Sequence, residues 1–443
     1  MSAPQADGTT ATVETVFRIE SARIIAAVTR IVRDIGIAEE LAQDALVAAL
    51  EQWPESGVPD NPGAWLMATA RHRAIDLVRR RETYARKLAE VGRGLEAAGA
   101  GYEPDPADLA SGPGDIDDDL LRLVFTACHP VLSAEARIAL TLRLLGGLTT
   151  TEIARAFLVP EPTVAQRIVR AKRTLAGAVV PFEVPYGDDR AARLSSVLEV
   201  IYLVFNEGYA ATEGDDWLRP ALCEDALRLA RVLAALMPDE PEVHGLAALL
   251  ELQASRTAAR TGQDGAPVLL ADQNRRRWNQ LLIRRGFAAL GRAGAGGTPP
   301  GPYALQAAIA ACHARAVTYE DTDWPTIAAL YARLTAVAPS PVVELNRAVA
   351  VSMAEGPLAG LALVDALAAE PALRDYHLLP SVRGDLLARL GRTDQARAEF
   401  ERAACLTRNE RERALLRAKA DRTPGETADQ KVDRPRSRGT SGA

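Results

Sequence analysis

Residues 148–175 read "LTTTEIARAFLVPEPTVAQRIVRAKRTL", and they contain two short amphipathic segments that meet at a Val-Pro-Glu-Pro corner. The first segment spaces Ile153 and Phe157 as a helix does, behind a run of threonines that can cap its amino end. Pro160 and Pro162 interrupt this helix, because proline lacks a backbone donor and pushes the preceding residue out of helical geometry. The stretch therefore predicts two helices joined by a tight turn.

The second of these helices is predicted to have one apolar face and one basic face. Its apolar stripe consists of Val164, Ile168, Ala171 and Leu175. Its polar face carries Gln166, Arg170 and Arg173, flanked by Arg167 and Lys172. A tight helical pair with such a face is typical of a helix-turn-helix that reads the major groove of DNA. The alternative is an ordinary helical hairpin with a solvated charged face.

The length and charge of the chain indicate several domains and a local basic surface. At 443 residues the chain exceeds what one hydrophobic core usually supports. Its net charge of −6 argues against a protein that is basic all over. Residues 65–90 nevertheless carry seven Arg and Lys against three Asp and Glu, whereas residues 91–120 carry one against eight. Any nucleic-acid surface is therefore expected to be regional.

The cysteines and the amino terminus bear on compartment and cofactors. The four cysteines lie far apart without a CxxC pair, which is typical of a protein in a reducing compartment. Cys128 and His129 are adjacent, but one pair supplies too few ligands for a zinc site, so we expect no metal and no cofactor. The sequence shows neither a leader pattern nor an apolar run as long as a membrane span. We therefore expect a cytoplasmic protein without a membrane partner.

The composition predicts an all-α, multidomain fold, because alanine, leucine and arginine dominate and alternating β-branched runs are absent. Stretches rich in proline and glycine divide the chain. The predicted segments are a helical block at 13–82, an acidic flexible linker at 83–119, the helix-turn-helix block at 120–178, a helical extension at 190–290, helical repeats at 303–420 and a disordered tail at 421–443. Residues 1–12 are also expected to be disordered.

The predicted repeats resemble the tetratricopeptide repeat. Small and aromatic residues occupy that repeat's signature spacing: Gly384, Ala396, Phe400 and Ala403. Gly356 lies thirty-five residues before Gly391, which is close to the period of the repeat. Any array of helical hairpins would share these features, because small residues let paired helices approach closely. In either case we expect a helical scaffold that binds a protein or peptide partner.

The block at 13–82 contains two further helical patterns. The segment "AEELAQDALVAAL", residues 38–50, is amphipathic. Leu41, Ala45 and Ala48 lie on one side, and Glu39, Glu40, Gln43 and Asp44 lie on the other. After a loop rich in proline and glycine, "AWLMATARHRAIDLVRRR", residues 64–81, predicts a helix that begins near Trp65 and ends in three arginines.

These two blocks, in this order, resemble regions two and four of a bacterial sigma factor of the extracytoplasmic-function group. The segment "AEELAQDAL" is similar to that group's polymerase-binding helix, and "WLMATARHRAIDLVRRR" is similar to its promoter-melting segment. The opening stretch is similar to its reader of the upstream promoter element. The matched motifs span residues 17–81 and 120–178. The helical carboxyl-terminal half, including "VIYLVFNEGYAAT" at 200–212, resembles the subgroup in which such a sigma factor carries a repeat-bearing extension.

The resemblance implies a protein that binds core RNA polymerase, directs it to promoter DNA and is not itself an enzyme, because the polymerase does the chemistry. The implied polymerase-binding residues are Glu40, Leu41, Gln43 and Asp44. The implied DNA-binding residues are Trp65, Arg71, His72, Arg73, Arg79, Arg80 and Arg81 in region two, and Thr163, Gln166, Arg167, Arg170 and Arg173 in region four. The loop at 55–62 lies where the family captures a flipped promoter base. The extension is expected to modulate activity by holding the sigma regions in a competent arrangement.

Two departures from the family leave the promoter sequence open. The family usually has Asn where His72 stands, and a basic residue where Ala165 stands on the recognition helix. The alternative function is a stand-alone helix-turn-helix regulator whose repeats bind a partner or a signal, although such a protein has no use for the polymerase-binding block. An enzyme would rest on Asn206, Glu207 and Tyr209 in "VFNEGYAAT", which are more typical of a helix end.

Overall fold

The structure is a computed structural model that describes residues 3–91, 113–157, 159–210, 213–214, 218–262 and 266–422. Eighteen α-helices make up most of these residues. Within these residues the only strands are β1 (Glu213–Gly214) and β2 (Arg408–Asn409), which pair in parallel. The prediction of an all-α fold is therefore confirmed. The chain divides into two compact units, Met1–Ala210 with Leu218–Leu250, and Ala211–Trp217 with Glu251–Ala443.

The first unit contains the two blocks with sigma-like motifs and the beginning of the extension. Its first three helices are α1 (Ala3–Val32), α2 (Ile35–Ser56) and α3 (Pro62–Val91). The next four are α4 (Pro113–Ala127), α5 (Ala134–Leu144), α6 (Thr150–Ala156) and α7 (Glu161–Gly177). Helices α8 (Gly187–Tyr209), α9 (Pro220–Leu236) and most of α10 (Pro241–Ala254) complete the unit.

The second unit is a succession of short helices. It begins with three 3₁₀ turns at Thr257–Ala259, Leu270–Asp272 and Arg275–Arg277. The α-helices that follow are α11 (Gln280–Gly294), α12 (Pro302–Arg315), α13 (Trp324–Val337), α14 (Pro341–Ala354), α15 (Pro357–Leu367), α16 (Leu378–Arg389), α17 (Thr393–Leu406) and α18 (Glu410–Arg422), with a further 3₁₀ turn at Pro371–Leu373. The division between the two units falls inside the predicted extension at 190–290.

Small residues allow the first three helices to pack closely. Ala38 and Ala42 of α2 are fully buried where this helix meets α1, and Val28 of α1 is fully buried as well. Asp34 caps α2, because its carboxylate accepts a hydrogen bond of 3.0 Å from the backbone N–H of Ile37. Capping and packing together determine where α2 begins and which of its side chains face outward.

The helices extend beyond the segments that the sequence predicts. Helix α1 begins at Ala3, within the stretch expected to be disordered. Helix α3 continues to Val91 and α4 begins at Pro113, so helix enters the predicted linker at 83–119 from both sides. Residues 92–112 of that linker lie outside the described residues. Helix α18 includes the first two residues of the predicted tail, and 423–443 also lie outside the described residues.

The two helices predicted at 148–175 are confirmed as α6 and α7. Thr149 and Glu152 form a capping box on α6: the Glu152 carboxylate accepts from the Thr149 N–H at 2.7 Å, and the Thr149 hydroxyl accepts from the Glu152 N–H at 3.1 Å. Helix α7 starts after Pro160, where the predicted turn lies. The predicted apolar stripe is buried: Val164, Ile168, Ala171 and Leu175.

Two helical hairpins in the second unit follow the predicted repeat. Gly356 joins α14 to α15 and Gly391 joins α16 to α17, each with a positive φ, +106° and +73°. The glycines thirty-five residues apart therefore occupy equivalent turns, which only glycine adopts without strain. Within the second hairpin, a Cβ placed on Gly384 would lie 2.8 Å from the ring of Phe400. The close approach of α16 and α17 thus depends on the missing side chain.

We expect Gly384→Ala to destabilise this hairpin by about 1–3 kcal/mol, the usual cost of overpacking a well-packed core. Hydrogen exchange of the amides of α16 and α17 in the full-length protein measures this loss. Gly291→Ala in α11 is the matched control, because a Cβ there meets nothing within 4 Å. This control is expected to be neutral or to stabilise by up to about 1 kcal/mol. Equal exchange in both variants would contradict the close packing.

Candidate protein and nucleic-acid interfaces

Helix α2 presents an acidic face to solvent. Glu40 and Asp44 are exposed and lie one helical turn apart, and Gln43 beside them is half-buried. Leu41, which the resemblance assigns to the same interface, is buried among the apolar residues of the bundle. The helical period turns Leu41 inward, so its side chain supports the acidic face from within, and its assignment to the polymerase interface stays a prediction.

Glu39 is the residue of α2 whose environment the sequence does not reveal. The sequence places it on the exposed acidic side, but its side chain is only 8% exposed. Its carboxylate accepts a hydrogen bond from Arg143 Nε of α5 at 2.6 Å and another from Gln43 Nε2 at 3.1 Å. It also forms an ion pair with Lys172 of α7. One buried carboxylate therefore joins α2 to the helix-turn-helix block.

The first half of α3 is partly committed to packing. Trp65 is half-buried and meets the fully buried Trp53 edge to face, with ring centroids 5.5 Å apart. Arg73 is also half-buried, and its guanidinium lies 3.6 Å from the Asp44 carboxylate. Trp65 thus packs on one side and keeps only part of its ring available for DNA.

A buried carboxylate of α4 draws several arginines together. Asp119 has no exposed side-chain surface, and it pairs with Arg122 at 2.6 Å and Arg30 at 3.5 Å. Burial raises the pKa of Asp119, while the positive charges of Arg30, Arg122 and Arg71 oppose that rise. Arg71, which the resemblance assigns to DNA, therefore interacts electrostatically with this buried carboxylate. The composition of residues 91–120 predicts only an acidic segment in solvent. A count of residues does not show that one aspartate among them is buried.

The second half of α3 is a solvent-facing basic stretch. His72, Arg79, Arg80 and Arg81 are all exposed. Tyr84 lies one turn after Arg80 and is 69% exposed, and a shallow groove runs past both residues to Lys87. Sequence reasoning missed Tyr84. An exposed aromatic ring among arginines is a surface on which a nucleic-acid base can stack, and a tyrosine within a basic run was the available signal.

The polar face of α7 is open to solvent as predicted. Gln166, Arg170 and Arg173 are exposed, and Thr163 and Arg167 are half-buried. The pKa of Glu135 is lowered, mainly by hydrogen bonds at the start of α5 and further by the positive charge of Arg167. Arg167 therefore lies near an acidic neighbour, whereas the exposed polar side chains project from a helix whose other side is buried.

The extension packs directly on the helix-turn-helix block. Arg193 of α8 is buried and donates a hydrogen bond to the carbonyl of Phe125 at 3.2 Å. The Ser196 hydroxyl donates to the carbonyl of Cys128 at 2.6 Å. From α9, Arg228 donates to the carbonyl of Gly146 at 3.0 Å. These bonds satisfy backbone acceptors at the ends of α4 and α5, so the first helices of the extension complete the packing of this block.

Asn206, Glu207 and Tyr209, the residues that could indicate an enzyme, form the end of a helix. The carbonyl of Asn206 accepts the N–H of Ala210 at 2.8 Å, and Glu207 pairs with Arg219. The ring of Tyr209 stacks on Phe205 with centroids 5.4 Å apart. These contacts end helix α8 and connect it to the start of α9.

Three family descriptions match successive parts of the chain. "Sigma-70 region 2" matches residues 17–84 and "Sigma-70, region 4" matches residues 122–175. "Family of unknown function (DUF6596)" matches residues 193–294. The first two cover the bundle of α1 to α3 and the helices α4 to α7, and the third covers most of the extension.

Curated relatives fall into two groups. The "Uncharacterized protein R00370" of Rhizobium meliloti (strain 1021) is 46% identical over 402 residues, which is 91% of this chain and 93% of the relative. The "ECF RNA polymerase sigma factor SigK" of Mycobacterium sp. (strain KMS) is 30% identical over 33% of this chain and 72% of its own length. The SigK of Mycobacterium tuberculosis (strain CDC 1551 / Oshkosh) is 30% identical over 34% and 78%. No solved structure matches the chain.

The fold and these similarities define the class of the protein as a transcription initiation factor with a sigma region two, a sigma region four and a helical extension. The chain belongs to the family of extracytoplasmic-function (ECF) RNA polymerase sigma factors. It directs transcription initiation together with core RNA polymerase at promoter DNA. In the ranges that the structure describes, every helix is too short or too polar to cross a membrane.

We expect Glu39→Gln to loosen the contact between α2 and α7, because it removes the charge that pairs with Arg143 and Lys172. The reactivity of Lys172 towards an acylating reagent, measured by mass spectrometry, should rise about tenfold, since a hydrogen bond to a charged group contributes about 1.5–3 kcal/mol. Glu40→Gln is the matched control on the same helix and should leave Lys172 as it is. The same reactivity in both variants would show that Glu39 does not hold the two regions together.

Proposed function

We propose that this sigma factor binds core RNA polymerase through the exposed acidic face of α2, formed by Glu40, Gln43 and Asp44. The supporting observation is the difference in exposure among the acidic residues of α2. Glu39 is buried in internal ion pairs, whereas Glu40 and Asp44 are exposed to solvent. Complementary charge between this face and a basic surface of the polymerase would speed association and select the orientation of docking.

The proposed DNA contacts divide between two helices. On α7, Gln166 and Arg167 would contact base edges in the major groove, and Thr163, Arg170 and Arg173 would contact phosphates. On α3, Arg79, Arg80 and Arg81 would follow the backbone of the opened downstream element, with His72 and Arg73 nearer the bases and the exposed edge of Trp65 beside them. Arg71, whose positive charge also opposes the rise in the pKa of Asp119, is assigned to the same DNA-binding helix, and we add the exposed Tyr84 as a base-stacking residue.

We further propose that the described arrangement is a closed state of the sigma regions. Lys172 lies on the recognition helix, and its ion pair with Glu39 holds that helix against α2. A second ion pair, Arg18 to Glu152 at 2.9 Å, joins α1 to α6. Two promoter elements spaced along a duplex require the two regions to separate, so these ion pairs must break when polymerase and promoter are engaged.

The extension is proposed to modulate activity as a positive element. Its helices α8 and α9 supply Arg193, Ser196 and Arg228 to backbone carbonyls of the region-four block. Region four would lose these partners if the chain ended at Ala178. We assign the hairpins of the second unit to a protein or peptide partner, in keeping with their resemblance to tetratricopeptide repeats.

Run-off transcription with purified core polymerase tests the function as a whole. The full-length protein should enable initiation at the promoter of its own gene, whereas core enzyme alone should not initiate there. A stand-alone regulator, the alternative function, would bind the promoter fragment but leave core enzyme inactive on it.

Reversing both charges of the acidic face, Glu40→Lys with Asp44→Lys, should weaken binding of the full-length protein to core polymerase by about 1–3 kcal/mol, the range for contributing interface residues. Fluorescence anisotropy of labelled sigma factor measures the affinity. The matched control is Glu224→Lys with Asp239→Lys, two exposed acidic residues on and after α9. If the control loses as much affinity as the α2 variant, the net charge of the chain is responsible and the interface assignment is wrong.

On the recognition helix, Gln166→Ala should change which upstream sequences are selected, because a bidentate contact to a base contributes about 1–3 kcal/mol of discrimination. Arg173→Ala should weaken binding equally on all sequences and reduce the salt dependence by about one phosphate contact. Selection from a randomised promoter library by the holoenzyme separates these effects. An unchanged selected sequence for Gln166→Ala would move this residue to the backbone contacts.

A further inference from the structure

The second unit contains a long stretch with one sign of charge. Residues 273–319 include seven arginines and neither aspartate nor glutamate, in a chain whose net charge is −6. The seven are Arg275, Arg276, Arg277, Arg284, Arg285, Arg292 and Arg315. Asp272 precedes this stretch and Glu320 follows it, but within it no acidic residue separates the positive charges.

One of these arginines builds a rigid platform for the others. Trp278 is 3% exposed, and the guanidinium groups of Arg256 and Arg275 lie 5.3 Å and 4.8 Å from the centroid of its ring. Arg275 also donates to the carbonyl of Ala316 at 2.8 Å and to the Thr322 hydroxyl at 3.2 Å. The 3₁₀ turn at Arg275–Arg277 is therefore anchored from inside by its first arginine, and Arg276 and Arg277 are exposed at its surface.

Helix α11 follows this turn directly in the chain and carries two more exposed arginines. Asn279 caps the helix by accepting hydrogen bonds from the N–H groups of Leu281 and Leu282, at 3.0 and 3.2 Å. Its inner side is buried through Ile283, Gly286, Ala289 and Ala293. Arg284 and Arg285 are exposed on the outer side. Among the described residues, no carboxylate forms an ion pair with Arg276, Arg277, Arg284 or Arg285.

We infer that Arg276, Arg277, Arg284 and Arg285, here called the extension patch, bind the phosphate backbone of duplex DNA flanking the promoter elements. This goes beyond the sigma regions, to which the DNA contacts proposed above are confined. Guanidinium groups match phosphate oxygens in a bidentate geometry, and the turn and helix that carry these four are ordered before binding. The patch carries no exposed aromatic ring, and a protein interface normally has such an anchor at its centre.

The extension patch is suited to adding affinity without adding sequence preference. Its four members are exposed arginines, and a contact from arginine to phosphate oxygens carries no sequence information, whereas reading a base would require the guanidinium to enter a groove. Because the patch is on the same chain as the promoter-reading regions, even a weak contact gains from a high effective concentration once the promoter is bound. The contact would be sensitive to salt, since each neutralised phosphate releases condensed counterions.

The test uses holoenzyme assembled from core polymerase and the full-length protein. In the patch variant all four residues of the extension patch are replaced by Gln, and affinity for a promoter fragment with long flanks is measured at several salt concentrations. We expect at least about a tenfold loss at low salt, and a slope of log affinity against log salt that is less steep by about two to four, at about 0.9 per phosphate. Scrambling the flanking sequence should leave the loss unchanged, and trimming the flanks should abolish it.

Two further variants make the outcome decisive. The matched control replaces four exposed arginines of the second unit outside the extension patch, Arg333, Arg374, Arg392 and Arg417, by Gln. Replacing the extension-patch arginines by Lys should keep most of the salt slope.

If the patch variant and the control behave alike, the inference is wrong. If the patch variant instead loses affinity for core polymerase without DNA, the surface docks on protein and the inference is also wrong. Should the four-fold variant misfold by circular dichroism, Arg284→Gln with Arg285→Gln is used, with half the expected slope change.

Failure of this inference can be told apart from failure of the proposed function. On a promoter fragment with trimmed flanks, the patch variant should support run-off transcription as the unmodified protein does. Loss of initiation there would implicate polymerase binding or promoter reading, which depend on α2, α3 and α7.

Discussion

The buried carboxylate of Glu39 is the constraint on which the arrangement of the first unit depends. A charge removed from water is costly unless it is paired and hydrogen-bonded. Glu39 meets this condition with Arg143 and Lys172, which come from two helices of the region-four block. Satisfying one side chain of region two therefore also determines where region four lies. Glu40, the next residue, is left in solvent and is free to meet a partner.

The extension also supplies hydrogen-bond partners that the region-four block needs. Helices α4 and α5 end in backbone carbonyls that need donors, and arginine and serine side chains of α8 and α9 supply them. The match to a family of unknown function begins at Arg193, the buried arginine that reaches Phe125. A sigma factor with only regions two and four would have to satisfy these carbonyls in another way. This physical dependence is why we treat the extension as a working part of the initiation factor.

Local sequence was sufficient wherever the structure is determined by helical periodicity. The stripe of Val164, Ile168, Ala171 and Leu175 predicted both the buried side of α7 and the solvent exposure of Gln166 and Arg173. The thirty-five-residue spacing of Gly356 and Gly391 predicted equivalent turns, because a positive φ at a tight turn selects glycine. The motifs of regions two and four were sufficient to indicate the family, because each is a short amphipathic helix whose pattern is complete within its own residues.

Only the tertiary structure decided which charged residues are internal. By sequence Glu39 and Glu40 are equivalent, and Arg71 resembles Arg79; the structure buries Glu39 against two cations and brings Arg71 under the influence of the buried Asp119. The structure likewise buries Leu41, the apolar residue beside Glu40. The physical reason is that the burial of a charge depends on partners far away along the chain, here more than a hundred residues for Arg143. Periodicity within one helix contains no information about them.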